Sequence, residues 1–98
     1  MPCISVIVPY QPKLKKKNVL DDLLTMQANM EEKELLNNFP PEMVSLVIKK
    51  FRTMIATIDC PPNGKTIGIF VSPFAEKVYY FSPSHLEEFK LPYNMHKN

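Results

Sequence analysis

Seven apolar residues, Val44, Val47, Ile48, Phe51, Met54, Ile55 and Ile58, recur at three- and four-residue intervals between two proline pairs, Pro40-Pro41 and Pro61-Pro62. An α-helix turns once every 3.6 residues, so this spacing aligns one continuous stripe that has to be buried against something. The prolines set its ends. Proline lacks the N–H that a helix interior needs, yet it suits the first helical position, where that N–H would have no partner. A helix therefore starts at Pro40-Pro41 and stops before Pro61-Pro62, with Lys49, Lys50 and Arg52 expected to face solvent. The rest of the chain must supply the surface that covers the stripe.

A second helix is predicted over residues 19–37. Asn18 is suited to cap it, with Asp21 placed to reach back and Asp22 favourable at the positive end of the helix dipole. Leu20, Leu23, Leu24, Gln27 and Met30 trace one face, widened by Val19 and Met26 and extended by Leu35, Leu36 and Phe39. Strands are expected on either side of this helical pair. "CISVIV", residues 3–8, is apolar on both faces of the alternation, which predicts a central strand ended by Pro9. "TIGIFVS", residues 66–72, follows a turn at residues 59–65, and Gly68 inside it implies a neighbour packed very close. "KVYYF", residues 77–81, completes an antiparallel hairpin. The tail, residues 83–98, reads either as a last edge strand near residues 87–91 or as a loose terminus.

The order is β-α-α-β-β, with room for a fourth strand. The fold class it predicts is α+β: a two-layer sandwich with two helices packed on one face of a small mixed sheet. At 98 residues there is one core and one domain, residues 1–98. A hydrophobic share of 45% with 22% charged residues excludes a disordered chain. Cys3 and Cys60 stand in no metal-binding or disulfide-framework spacing and read as buried free thiols. The opening "MPCISVIVPY" is neither a secretion signal nor a membrane span, so a cytoplasmic protein with no membrane partner is expected.

Gly64-Lys65-Thr66 has the ending of a phosphate-binding loop, but the glycine needed five positions earlier is Asp59, and a strand rather than a helix follows. The stretch reads as a turn. Catalytic chemistry is equally sparse. His85 and His96 have no companion ligands, and the pairs Glu31-Glu32 and Glu87-Glu88 point their carboxylates apart on a helix or a strand. Ser72, Ser82 and Ser84 sit beside prolines without the glycines of a nucleophile elbow. No catalytic residue, metal or cofactor is expected, and the chain is read as a non-enzyme.

Binding chemistry is better represented. Lys13, Lys15, Lys16 and Lys17 crowd one loop and suit contact with phosphates, although a merely solvated loop would look the same. Lys77, Tyr79, Tyr80 and Phe81 on the hairpin suit stacking on unpaired bases, while the plain alternative is core or dimer packing. A net charge of +2 does not choose between RNA and a protein partner. A different class of reading makes the chain an interaction module, in which strand edges and methionine-rich helix faces pair two copies as a homodimer.

The strand "ISVIVPY", the segment "TIDCPPNGKTIGIFVSP" and the strand "KVYYF" together resemble the N-terminal domain of archaeo-eukaryotic class I peptide release factors. The bacterial members of that superfamily are more similar still, through Val8 to Lys13, Glu32 to Pro40, Ile69 to Pro73 and Glu76 to Tyr80, in that order. The resemblance implies a role in translation or ribosome rescue, with RNA or the ribosome as partner. The family's Asn-Ile-Lys-Ser codon-reading motif is absent, its place being held by Met30 to Phe39, so stop-codon decoding is not implied. Its Gly-Gly-Gln tripeptide belongs to a later domain and does not occur here, which makes this chain either a stand-alone domain or the first piece of a longer factor.

Overall fold

The computed structural model describes residues 1–82. The fourth strand at residues 87–91, His85, His96, Ser84 and the Glu87-Glu88 pair lie outside the described residues. Within them the order is β1 (Ile4–Val8), a 3₁₀ turn (Pro12–Lys15), α1 (Lys17–Leu36), α2 (Pro41–Ile55), β2 (Thr66–Val71) and β3 (Glu76–Phe81). This is the α+β arrangement read from the sequence. The sheet, expected to be mixed, is antiparallel at both pairings, in the order β1-β2-β3. The reason is one of direction. A single crossover helix returns the chain to the start of the first strand and makes the next strand parallel. Two antiparallel helices return it to the end of β1 instead, so β2 starts beside Val8, with Val8 opposite Ile67 and Ile4 opposite Val71.

The apolar stripe is buried throughout, although α2 ends at Ile55 and Ile58 lies just past it: Val44, Val47 and Phe51 are fully covered, and Ile48, Met54, Ile55 and Ile58 nearly so. It meets Ile67, Ile69 and Val71 of β2 and Ile4, Val6 and Val8 of β1 in one core. Successive strand residues point to opposite faces, so the register also defines the face away from the helices: Ser5 and Ile7 of β1, Thr66, Gly68 and Phe70 of β2, Lys77, Tyr79 and Phe81 of β3. β1 is an edge strand in this sheet, not the central one expected. Its outer alternates Ser5 and Ile7 are exposed, and Cys3, on the same alternation, is exposed rather than buried. Cys60 is half-buried against the core.

Two further expectations change with tertiary packing. α1 begins earlier than predicted, because the Lys16 carbonyl accepts the Val19 and Leu20 N–H groups at 3.1 Å each. Asn18 is therefore inside the first turn and caps nothing. The buried line of α1 is Leu20, Leu24, Ala28 and Leu35, while Met26, Met30 and Leu36 are exposed and Val19 and Leu23 half-buried. Lys50, expected in solvent, folds over the β2–β3 turn: its Nζ donates to the Ser72 and Pro73 carbonyls at 3.3 Å each and lies 3.8 Å from Glu76 Oε1. Ser72 closes that turn, its Oγ accepting the Ala75 N–H at 3.0 Å.

Both glycines have identifiable tasks. Gly64 adopts φ +80° in a turn closed by Lys65 N–H donating to the Pro62 carbonyl at 2.9 Å, a backbone that L side chains resist. Gly68 lies beneath the Phe81 ring: a Cβ there would stand 2.9 Å from Phe81 Cε1 and 3.8 Å from Ile7 Cδ1. The neighbour implied by a glycine in mid-strand is thus the Phe81 ring. Gly68→Val is expected to cost about 1–3 kcal/mol in urea unfolding through overpacking. Phe81→Ala in the same chain is expected to recover part of that cost, and strictly additive losses would show that the ring is not the obstacle.

Candidate nucleic-acid interface

The predicted lysine loop has a rigid base. Pro9 ends β1, and the Tyr10 hydroxyl donates to Asn63 Oδ1 at 2.7 Å, joining the segment after β1 to the turn before β2. Pro12 then opens the 3₁₀ turn, with Leu14 N–H donating to the Gln11 carbonyl at 2.9 Å. Leu14 is fully buried in the core, and Lys13, Lys15 and Lys16 are exposed around it. One apolar residue plugged inward thus holds three cations outward on a short, hydrogen-bonded segment.

Lys17 belongs to a different set. Its Nζ donates to Asp21 Oδ1 one turn further along α1 and to the Ile55 carbonyl of α2 at 2.9 Å. A cation at the first residue of a helix faces the wrong end of that helix's dipole; Asp21 offsets this, and the Ile55 carbonyl is at the favourable end of α2. Lys17 therefore ties the start of one helix to the end of the other.

On the hairpin, the structure separates residues that the sequence placed together. Lys77 is opposite Phe70 and Tyr79 opposite Gly68, on the face away from the helices, and Phe81 shares that face. Tyr80, opposite Ile67, turns to the helix face, where its hydroxyl donates to the Asp59 carbonyl at 2.8 Å. Strand alternation alone separates Tyr79 from Tyr80. The face with Lys77, Tyr79, Phe81, Phe70 and Ile7 is amphipathic, with Tyr79 46% exposed at its middle. Phe81 and Thr66 mark the end of this face nearest the lysine turn, because β2 starts where β1 finishes. Half-buried Lys65, read from the sequence as part of a turn and not as a binding residue, precedes Thr66 at that same end.

A second concavity lies on the helix layer. Glu32, Ser45, Ile48, Lys49, Arg52 and Thr53 line a groove of about 460 Å³. Its guanidinium is already engaged: Arg52 donates to Asn29 Oδ1 at 2.7 Å and Glu32 Oε1 at 3.2 Å. Among the described residues no three His, Cys, Asp or Glu side chains converge as metal ligands, and no helix is long and apolar enough to cross a membrane. The chain matches no family model, no curated protein and no solved structure.

Burial, followed by the Asp59 carboxylate, pushes the Tyr80 phenol above its ordinary value of 10.0. The unfolded chain loses this proton first, so the contribution of Tyr80 to stability is complete below pH 10.0 and declines as pH rises through the folded value. Tyr80→Phe is expected to lower stability by about 0.5–1.5 kcal/mol at neutral pH through the lost hydrogen bond. It should also flatten the alkaline decline, as measured by urea unfolding at stepped pH. A variant whose alkaline profile overlays the parent's would remove Tyr80 from this role.

Proposed function

We propose that the chain is a non-catalytic domain that contacts RNA, in translation or ribosome rescue in the cytoplasm. Phosphates lie along the Lys13, Lys15 and Lys16 turn, and unpaired bases meet the open sheet face at Lys77 and Tyr79. The observation that carries this reading is the anchored turn. Three lysines with no side-chain acceptor among the described residues are held at one end of an aromatic-bearing face. A preformed array loses little conformational freedom on binding, which makes each phosphate contact more productive. The segments similar to bacterial release-factor N-terminal domains support the translational setting. Val8 to Lys13 of that resemblance runs from the end of β1 into the lysine turn itself. Tyr80, with its hydroxyl committed to Asp59, contributes packing and not base contact in this reading.

Binding of the chain to ribosomes, and to a fluorescent single-stranded RNA, tests the proposal in a salt titration. Affinity is expected to fall steeply with salt, and the triple variant K13A/K15A/K16A to flatten the log–log slope by up to about 0.7 per lost single-strand contact. Lys17→Ala should instead reduce folding stability and leave the slope of the folded protein unchanged. Absent binding, or binding indifferent to salt and to the triple variant, would overturn the assignment.

A further inference from the structure

Gly64-Lys65-Thr66 does not form a phosphate-binding loop, and the lysine turn alone leaves it without a task. Its place in the fold supplies one. β1 and β2 pair antiparallel with Val8 opposite Ile67, so the same register carried two residues further brings Tyr10 opposite Lys65. The Tyr10 hydroxyl closes that approach, donating to Asn63 Oδ1 at 2.7 Å, two residues before Lys65. The chain thus leaves β1 beside the point where it enters β2, and the lysine turn opens at Pro12, two residues after Tyr10.

Both partners of that hydrogen bond stand on stiff backbone. Pro9 and Pro12 bracket Tyr10, and Pro61-Pro62 precede Asn63, each ring fixing its own φ. The Gly64 turn is closed by Lys65 N–H donating to the Pro62 carbonyl at 2.9 Å, which fixes where the Lys65 side chain departs from the backbone. Buried Leu14 does the same for Lys13, Lys15 and Lys16. Lys13 is three residues from Tyr10, at most about 11 Å away even along an extended chain, so the two cation-bearing turns are neighbours. Among the described residues the Lys65 ammonium has no hydrogen-bond or ion-pair partner, whereas Lys17 and Lys50 are both engaged. Asp59, the acidic residue of the same connection, is tied to Tyr80 of β3, on the other side of β2 from Tyr10.

A surface hydrogen bond between two neutral groups adds little to stability, because water satisfies a phenol and an amide almost as well. Its effect is on position, since it joins two turns 53 residues apart in the sequence. We infer that Lys65 is a fourth phosphate-contacting cation beside Lys13, Lys15 and Lys16, and that the Tyr10–Asn63 hydrogen bond is the clasp that holds its turn against theirs, so that one run of single-stranded RNA meets both. The inference rests on the RNA reading and extends it from one turn to two. Like charges on neighbouring turns repel, and without the clasp Lys65 is free to move away from the other three. A phosphate run would then have to draw the turns together at the moment of binding, which costs conformational freedom. Tyr10 and Asn63 are positioning residues in this arrangement, and only the lysines meet phosphate.

The salt dependence of binding to a fluorescent single-stranded RNA, measured on the full chain, reads both parts. Lys65→Ala is expected to reduce the log–log slope by about 0.7, the value of one single-strand contact. Tyr10→Phe removes one hydroxyl and no charge, yet should reduce the slope by the same amount, and adding Lys65→Ala to it should reduce the slope no further. Asn63→Ala should match Tyr10→Phe, alone or combined with it. A hydrogen bond with a merely structural role would alter urea unfolding and leave the slope where it was. Lys33→Ala, which removes an exposed lysine near the far end of α1, controls for net charge and should leave the slope unchanged. A slope indifferent to Lys65→Ala or to Tyr10→Phe, losses that add in the double variant, or an equal loss with Lys33→Ala would each overturn the inference. If K13A/K15A/K16A still flattens the slope in that case, the RNA reading stands without it. A parent chain that binds no RNA, or binds it regardless of salt, removes both.

Discussion

The seam between α2 and β2 carries the molecule. Phe51, Val44, Val47 and Ile58 of the helical segment and Ile67, Ile69 and Val71 of the strand are nearly all fully covered, and each such side chain contributes roughly 1.5–3 kcal/mol through removal from water. A domain of this size has no reserve core to replace them. Among the described residues β2 is also the only strand hydrogen-bonded on both edges, so β1 and β3 have a sheet to join only while β2 is seated. The tethers around this seam keep it aligned: Lys50 over the β2–β3 turn, Lys17 between the helices, Tyr80 on Asp59.

The parts of this arrangement that depend on local pattern were legible in the sequence. The seven-residue apolar stripe, the start of α2 at the Pro40-Pro41 pair, the left-handed Gly64 and the crowding at Gly68 each follow from one residue's geometry or one helical period, whereas α2 ends at Ile55, short of the stop expected at Pro61-Pro62. What depended on distant partners was not legible. An apolar run cannot say whether it is central or at an edge, because β-branched residues on both faces suit either, and β1 lies at the edge. α1 contains two apolar lines, Leu20-Leu24-Ala28-Leu35 and Val19-Leu23-Met26-Met30, and only the position of the sheet selects the first for burial. The sheet direction depends on the number of helices between the strands: two antiparallel helices bring the chain back to the end of β1, which makes β2 antiparallel to it.

The candidate site divides in the same way. That Lys13, Lys15, Lys16 and Lys17 form a basic run was plain, but carbonyl and carboxylate acceptors from elsewhere in the fold decide which are free to meet a partner. Ile55 and Asp21 take Lys17, as Ser72 and Pro73 take Lys50, leaving the three lysines around buried Leu14 displayed. A cation already hydrogen-bonded to the protein would have to exchange a good contact for another, with little net gain. The aromatic pair Tyr79-Tyr80 follows the same logic on a strand, one ring for the open face and one for the fold.

The separation between β1 and its neighbour in the sheet has a bearing on how the polypeptide is made. About 60 residues intervene between Val8 and Ile67, so the first strand leaves the ribosome well before the strand it pairs with has been translated. At about 5–20 residues per second that interval lasts several seconds, during which an uncharged, β-branched segment has no template. The helical hairpin and the β2–β3 hairpin close over short distances, whereas β1 has to wait and then dock over a long loop. Biogenesis of this small domain is therefore governed by its amino-terminal strand, whose late arrival completes the sheet and whose early emergence is the point at which a nascent-chain chaperone has something to hold.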